Sequence, residues 1–281
     1  MARRFRFVLV DVFAERPLAG NQLAVFTDAR ELETEEMQAI ARELGFSETV
    51  FVLPAEAEGD VRLRIFTPRR EVPFAGHPVL GAAFVLGGPL QRGTLALETA
   101  GGAVPVALER DDAGRIVFAR MSQPVPAVAP YPDPAGLCRA LGVERSLLPV
   151  ETYDAGIRHA FVVLASAEEV AALAPDLAAL AALGVAANCV ARAGGSWKTR
   201  MFWPSAGIPE DAATGSAAGP LACHLARHGL VPWGEEIEIR QGEELGRPSL
   251  LYARAEAVDG EIARVEVGGA AVVVGRGELT L

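Results

Sequence analysis

The chain has 281 residues, of which 51% are hydrophobic and 22% charged, and its formal charge is −10. This length suits one large domain or two modest ones, each with its own core. The charges are interspersed, with neither the basic stripe of a nucleic-acid-binding surface nor a polybasic amphipathic helix for a membrane surface. We therefore expect no nucleic acid and no membrane as a partner.

Three cysteines, Cys138, Cys189 and Cys223, lie far apart and form no C-x-x-C pair. An odd, scattered set is typical of buried thiols in a reducing cytoplasm, and it argues against a disulfide framework or a structural zinc site. We therefore expect a cytoplasmic protein with free thiols in its core.

The first elements of the chain are predicted to be two strands and a helix. "MARRFRFVLVDVF" loosely imitates a signal peptide, but Asp11 interrupts its apolar run, so we predict strands over residues 5–12 and 22–26. Thr34 is placed to cap the helix, and Gly45 ends it. The helix is predicted from apolar residues spaced i, i+3, i+4 and i+7, which are Met37, Ile40, Ala41 and Leu44.

The stretch "GFSETVFVLP" places one carboxylate, Glu48, at the head of an apolar run that is typical of a buried strand. A charged side chain at the start of such a strand is either solvated, paired with an opposite charge or used in catalysis. Charged side chains are rarely fully buried, so a solvated strand end is the commoner outcome for an isolated case. If Glu48 is buried, desolvation should raise its pKa toward the range in which a carboxyl both gives and takes a proton.

The segment "QPVPAVAPYPDP" has five prolines in twelve residues. Proline removes backbone donors and fixes φ, which excludes a helix or a central strand. We predict a linker over residues 124–134 between an N-terminal half (1–123) and a C-terminal half (135–270). Residues 271–281 are expected to complete the first half.

Two similar stretches, "RIFTPRREVP" and "RMFWPSAGIP", share the pattern R-x-F-x-P-x4-P. Each is followed by a small-residue turn and an apolar helix, "FAGHPVLGAAFVL" in the first half and "EDAATGSAAGPLACHLA" in the second. The repeated order of strand, proline loop, glycine turn and helix predicts two α/β halves related by pseudo-symmetry.

Both apolar helices begin at a glycine turn, Gly76-His77-Pro78 and Thr214-Gly215-Ser216. Helix starts leave N–H groups unpaired and carry the positive end of the helix dipole, so they attract anions. Because these helices are apolar on nearly all faces, we expect each to be buried at the centre of its half. Two such starts facing a cleft would hold a small acidic substrate.

The candidate side chains lie around these turns. His77 stands at one helix start, Asp211 precedes the other, and Ser216 lies within it. With Glu48 they form a proton-transfer set rather than a nucleophilic triad, since the sequence has no G-x-S-x-G elbow. Structural interpretations stay open: a hydrogen-bonded imidazole for His77, a helix cap for Asp211 and an ordinary first-turn residue for Ser216.

His224 and His228 lie four residues apart on the second apolar helix, a spacing that can chelate a metal. No acidic residue lies between them, and Gly229 closes the helix. We therefore predict no metal site.

Taken in order, "GNQLAVF", "FSETVFV", "PFAGHPVLGAA", "RMFWP…EDAATGSAAGPLA" and "GRPSLLYARAE" resemble the phenazine-biosynthesis isomerase family over essentially the whole chain. The resemblance implies a diaminopimelate-epimerase-like α/β fold, in which each half wraps a sheet around a central helix and the active site lies between the halves. It also implies a homodimer and no cofactor.

By position, Glu48 in "SETVFV" resembles the family's catalytic carboxylate. The resemblance assigns substrate binding to Ser47, Gly76, His77, Asp211, Gly215 and Ser216. The activity implied is isomerisation of trans-2,3-dihydro-3-hydroxyanthranilic acid. Glu48 would move a proton from C3 to C1, and the resulting enol would tautomerise to a reactive amino-ketone. The helix starts would hold the substrate carboxylate, while His77 and Asp211 position its amino and hydroxyl groups.

Three alternatives stay open. An isomerase or epimerase of another small cyclic amino acid would share the motifs. A racemase of this fold would use a thiol at each helix start, yet "AGHPV" and "ATGSA" hold no cysteine, and Cys223 lies two turns into its helix. A non-catalytic ligand-binding scaffold would keep the fold without using Glu48 as a proton carrier.

Overall fold

The computed structural model describes residues 2–281, except the side chain of Leu90. It divides into two compact units, Met1–Ser122 with Gly268–Leu281 and Gln123–Val267. No helix in the described part of the chain is long and apolar enough to cross a membrane.

Strands outnumber helices in both units. The helices are α1 (Thr34–Leu44), α2 (Gly76–Leu90), α3 (Pro134–Leu141), α4 (Ala167–Ala171), α5 (Leu177–Leu183) and α6 (Gly215–Arg227). The strands are β1 (Arg4–Val12), β2 (Asn21–Phe26), β3 (Glu48–Leu53), β4 (Val61–Phe66), β5 (Glu71–Val72), β6 (Thr94–Thr99), β7 (Gly102–Arg110), β8 (Ile116–Gln123), β9 (Ala127–Pro130), β10 (Glu151–Asp154), β11 (Arg158–Val163), β12 (Ala186–Ala193), β13 (Ser196–Trp203), β14 (Ile208–Asp211), β15 (Glu236–Gln241), β16 (Ser249–Val258), β17 (Glu261–Gly269) and β18 (Ala271–Thr280).

In the first unit, β1 pairs antiparallel with β2 on one edge and with β18 on the other, so the last strand of the chain completes this unit. β2 runs parallel to β3, which α1 connects to it, and β3 is antiparallel to β4. β4 runs parallel to β6 across α2, and β6, β7 and β8 form an antiparallel meander.

The second unit repeats this order. β11 runs parallel to β12, β12 is antiparallel to β13, and β13 runs parallel to β15 across α6. β15 then pairs antiparallel with β16. The duplication predicted from the two proline-containing stretches is therefore confirmed in the strand order.

Both apolar helices are buried from their first residue onward. Every residue of α6 from Gly215 to Ala226 is buried, as are residues 76–83 of α2. A Cβ at Gly219 would lie so close to Oε1 of Gln123 and Cγ1 of Val265 that these side chains would have to shift, so α6 packs tightly against its neighbours there. The prediction of buried central helices is confirmed for α6 and for the first half of α2.

An aromatic cluster fixes the strand that begins at Glu48. Phe51 on β3 stacks on Phe26 of β2 with ring centroids 5.0 Å apart and meets Phe66 of β4 edge-on at 5.5 Å. Met37 and Ile40 of α1 belong to the same buried cluster. Such aromatic pairs each add about 0.5–1.5 kcal/mol beyond the area they bury, which holds β3 in register.

The start of α1 differs from the prediction. Glu33, not Thr34, is the N-cap, and the Glu36 carboxylate accepts a hydrogen bond from the Glu33 N–H at 3.0 Å. The Thr34 hydroxyl accepts instead from Nη1 of Arg64 at 2.9 Å. Gly45 ends the helix as predicted, with a left-handed φ of 67°.

The proline-rich segment is not wholly a linker. Residues 127–130 form β9, which pairs antiparallel with β10, and α3 begins at Pro134. The strand is possible because Pro130 occupies its last position, where a missing backbone donor costs little, and Pro134 occupies the first helical turn for the same reason.

Candidate active site

Glu48 is the first residue of β3 and only 5% exposed, so the interpretation of a solvated strand end is wrong. The parallel pairing of β3 with β2 places it opposite Leu23. Its Oε2 lies 3.5 Å from Nδ1 of His77 at the start of α2. The first unit therefore brings together the two residues that the sequence placed on different elements.

His77 is an almost fully buried, neutral imidazole. Its Nδ1 is 3.4 Å from Nδ2 of Asn21, and its Nε2 has no hydrogen-bond partner among residues 2–281. Burial lowers the pKa of His77 to about 3, so the ring carries no charge near neutral pH. Its contact with Glu48 is accordingly between a carboxyl group and a neutral ring, and it is not an ion pair.

The first turn of α2 offers two backbone donors beside this pair. Pro78 has no N–H, and the N–H of Val79 bonds to the carbonyl of Ala75 at 3.4 Å. Helix geometry leaves the N–H groups of Gly76 and His77 for an outside acceptor, at the positive end of the dipole. Ser47, which precedes Glu48, is partly exposed.

In the second unit Asp211 is buried at the end of β14 and stabilises the turn before α6. Its Oδ2 accepts a hydrogen bond from the Thr214 hydroxyl at 2.7 Å. Gln241 fixes the same turn from β15: its Nε2 donates to the Asp211 carbonyl and to the Thr214 hydroxyl, and its Oε1 accepts from the Thr214 N–H. Thr214 is the N-cap residue of α6, so Asp211 is not the helix cap.

Ser216 stands in the first turn of α6 with 8% of its surface exposed. Its hydroxyl oxygen is 3.0 Å from Nε2 of His159. The N–H groups of Ala217 and Ala218 both point to the Thr214 carbonyl, so helix geometry leaves those of Gly215 and Ser216 as donors, as at α2.

Sequence reasoning missed four buried polar residues that hold these groups: Asn21, His159, Asn188 and Gln241. Each lies within or at the end of an apolar strand. That signal is the one that singled out Glu48, and applied evenly along the chain it would have found all four.

A carboxylate does face His224 of α6 and His228, the residue that follows the helix, contrary to the premise of the sequence argument. Oε2 of Glu151, on β10, is 3.0 Å from Nε2 of His228 and 3.4 Å from Nδ1 of His224, and the three ligand atoms lie within 4.8 Å of one another. This trio could hold a metal ion. The same oxygen also accepts from the Tyr153 hydroxyl at 2.9 Å, so a hydrogen-bonded network already ties the end of α6 to β10.

All three cysteines are free and buried, as predicted. Burial raises the pKa of Cys223 to about 12 and also raises the pKa of Cys189 and Cys138. Neutral thiols deep in the core cannot perform two-thiol racemase chemistry, and the first turns of α2 and α6 contain no cysteine.

The duplicated α/β architecture, with a buried helix start beside polar side chains in each unit, is that of the diaminopimelate-epimerase-like proteins. The model of the phenazine biosynthesis-like protein family matches residues 10–277, and the chain belongs to that family. The predicted family and fold class are thus confirmed.

Close relatives share one name. Proteins named trans-2,3-dihydro-3-hydroxyanthranilate isomerase are 51% identical over 277 residues in Pseudomonas aeruginosa and 50% identical over 276 residues in Pseudomonas chlororaphis. Each match covers 98% of this chain and 99% of the relative.

Solved structures agree on the fold. A Bacillus anthracis phenazine biosynthesis protein of the PhzF family superposes with a TM-score of 0.87 at 24% identity, over 99% of this chain and all of that one (100%). A probable proline racemase from Agrobacterium radiobacter reaches 0.69 at 14% identity, over 99% and 93% of the two chains. These two likenesses concern the fold alone.

Proposed function

We propose that this protein is a trans-2,3-dihydro-3-hydroxyanthranilate isomerase that works without a cofactor. The full-length relatives of that name support the substrate. The observation that carries the chemistry is the buried carboxyl group of Glu48 against the neutral ring of His77. A carboxyl group shielded from water is suited to take a proton from carbon and return it.

The proposed reaction is an internal proton transfer, so no co-reactant is needed. Glu48 as carboxylate removes the hydrogen at C3 as a proton. The electron pair of that C–H bond enters the conjugated ring, a new C–H bond forms at C1, and Glu48 supplies the proton for it. The enol left at C3 then tautomerises to the amino-ketone, and Glu48 ends as the carboxylate it was at the start.

The remaining residues are proposed to hold the substrate. The N–H groups of Gly76 and Gly215 and the hydroxyl of Ser216 bind its carboxylate, as helix starts favour anions. His77 and Asp211 position the amino and hydroxyl groups, and Ser47 binds beside Glu48. A cytoplasmic homodimer, expected from the cysteines and the family resemblance, belongs to the same proposal.

Glu48→Gln tests this function, with Glu43→Gln as the matched control because Glu43 is exposed on α1. The amide keeps the size of the side chain but cannot carry the proton. We expect kcat to fall by about 10²–10⁴ while the variant still binds 3-hydroxyanthranilate, and we expect Glu43→Gln to match the wild type. Undiminished turnover by Glu48→Gln would remove Glu48 from the mechanism.

A further inference from the structure

Ser216 ends a line of buried polar side chains in the second unit. Its hydroxyl oxygen lies 3.0 Å from Nε2 of His159 on β11, and Nδ1 of the same ring lies 3.3 Å from Nδ2 of Asn188 on β12. His159 is 1% exposed and Asn188 2%. The three side chains therefore form one water-excluded hydrogen-bonded line that stops at the start of α6.

The direction of the hydrogen bonds in this line is set at Asn188. Its Nδ2 lies 3.0 Å from the carbonyl oxygen of Ala186 and 3.3 Å from that of Ala160. Two carbonyl oxygens require a donor, so this atom is the amide nitrogen and not the amide oxygen. An amide nitrogen cannot accept a hydrogen bond, so the atom that faces Nδ1 of His159 acts as a donor, with its two hydrogens shared among these three acceptors.

The protonation of His159 follows from this neighbour. Burial lowers the pKa of His159 to about 3, so the ring is neutral and has one N–H. Since Nδ1 accepts from Asn188, that proton is on Nε2. Nε2–H accordingly donates to the oxygen of Ser216.

We propose that Asn188 and His159 are positioning residues that orient the Ser216 hydroxyl as a hydrogen-bond donor to the substrate carboxylate. This inference rests on the proposed function. With one lone pair of the hydroxyl oxygen occupied by Nε2–H, the hydroxyl proton points away from the imidazole toward an outside acceptor. The free N–H groups of Gly215 and Ser216 at the same helix start make an anion the favoured acceptor. In the opposite tautomer, with the proton on Nδ1, the Ser216 hydroxyl would donate to Nε2 of His159. The Ser216 oxygen would then face the substrate only as an acceptor.

The tautomer can be measured directly in the full-length protein by ¹⁵N NMR of labelled imidazoles. The chain has only four histidines, and His159→Gln identifies the resonance of His159 by its loss. We expect a protonated Nε2 and an unprotonated Nδ1 throughout pH 5.5–8. A proton on Nδ1, or a ring that becomes charged in this range, overturns the proposal.

Binding measurements test the consequence for the substrate carboxylate. The probes are 3-hydroxyanthranilate and 2-aminophenol, which is the same ring without the carboxylate. We expect His159→Leu and Ser216→Ala each to weaken binding of 3-hydroxyanthranilate by about tenfold and to leave 2-aminophenol unaffected, because a hydrogen bond to a charged group is lost. The double variant should bind no more weakly than Ser216→Ala alone, and His159→Gln, which retains an N–H donor, should restore most of the affinity.

Three results would overturn the proposal. The first is an equal loss of affinity for both probes, and the second is a further loss from His159→Leu when Ser216 is already alanine. The third is failure of the wild type to bind 3-hydroxyanthranilate. If His159→Leu does not fold, the tautomer measurement on the wild type decides. Failure of the proposed function is a different result: a wild-type protein with the expected tautomer and binding that does not convert the dihydro substrate.

Discussion

Three histidines of this chain are buried as neutral rings, and that burial has a cost that depends on pH. Burial lowers the pKa of His77 and His159 to about 3 and that of His224 to about 4, against an ordinary value near 6.5. Protonation therefore favours the unfolded chain. The stability that these rings contribute is present above pH 6.5 and is lost progressively as the pH falls toward 3–4.

We expect the free energy of unfolding to fall by about 2 kcal/mol for each of these histidines between pH 7.5 and pH 5. Urea denaturation at both pH values measures it. His159→Gln serves as the internal control. Because the variant lacks one of the three buried rings, unfolding should take up about one proton fewer, and the free energy of unfolding should depend less steeply on pH. A free energy of unfolding that stays level over this range would contradict the burial of neutral histidines.

Residue by residue, the sequence reveals the site only in part. Glu48 and His77 could be found because each interrupts an apolar pattern beside a glycine or a strand start. The partners Asn188 and His159 could not be matched to Ser216, because pairing across β11, β12 and α6 depends on strand register. No local pattern encodes that register. The same holds for Glu151, which reaches His224 from a separate strand.

At the scale of elements, α6 packs closely against its neighbours at Gly219. Gly219→Ala would place a methyl group against Gln123 and Val265, both under 2.5 Å from the new Cβ. We expect a loss of about 1–3 kcal/mol in the free energy of unfolding, as for other overpacked cores, with a lower melting temperature. Gly88→Ala on α2 is the matched control: its Cβ would meet nothing within 4 Å, and helix propensity predicts no loss. Equal behaviour of the two variants would contradict the close approach of α6.

The order of elements was predictable because the chain repeats itself. The same order of strand, proline loop and apolar helix occurs twice, and in each copy the residue pattern indicates the type of each element. Two predictions about where elements begin were wrong. Glu33 caps α1 in place of Thr34, and β9 forms within the proline-rich segment that was predicted to be a linker. Both outcomes depend on tertiary partners, Arg64 for Thr34 and β10 for β9, which local pattern does not contain.

At the scale of the whole molecule, the two ends of the chain belong to one unit. β1 pairs with β18 from Arg4 opposite Thr280 to Val12 opposite Ala271. A chain that stops after Ala270 should therefore unfold its first unit at a lower temperature and lose hydrogen-exchange protection in β1, while residues 123–267 keep theirs. Deleting Leu281 alone is the control and should leave this protection in place. Retained protection of β1 in the shorter chain would show that β18 does not stabilise the first unit.

The central claim is that Glu48 carries a proton between two carbons of the substrate. Turnover of trans-2,3-dihydro-3-hydroxyanthranilate that carries deuterium at C3, run in ordinary water and sampled before the product condenses, tests it by showing whether the deuterium moves to C1. Wild-type protein and Glu43→Gln should give product labelled at C1, and Glu48→Gln should give none above the uncatalysed background. Transfer of the label to C1 at the wild-type rate in Glu48→Gln would contradict the account.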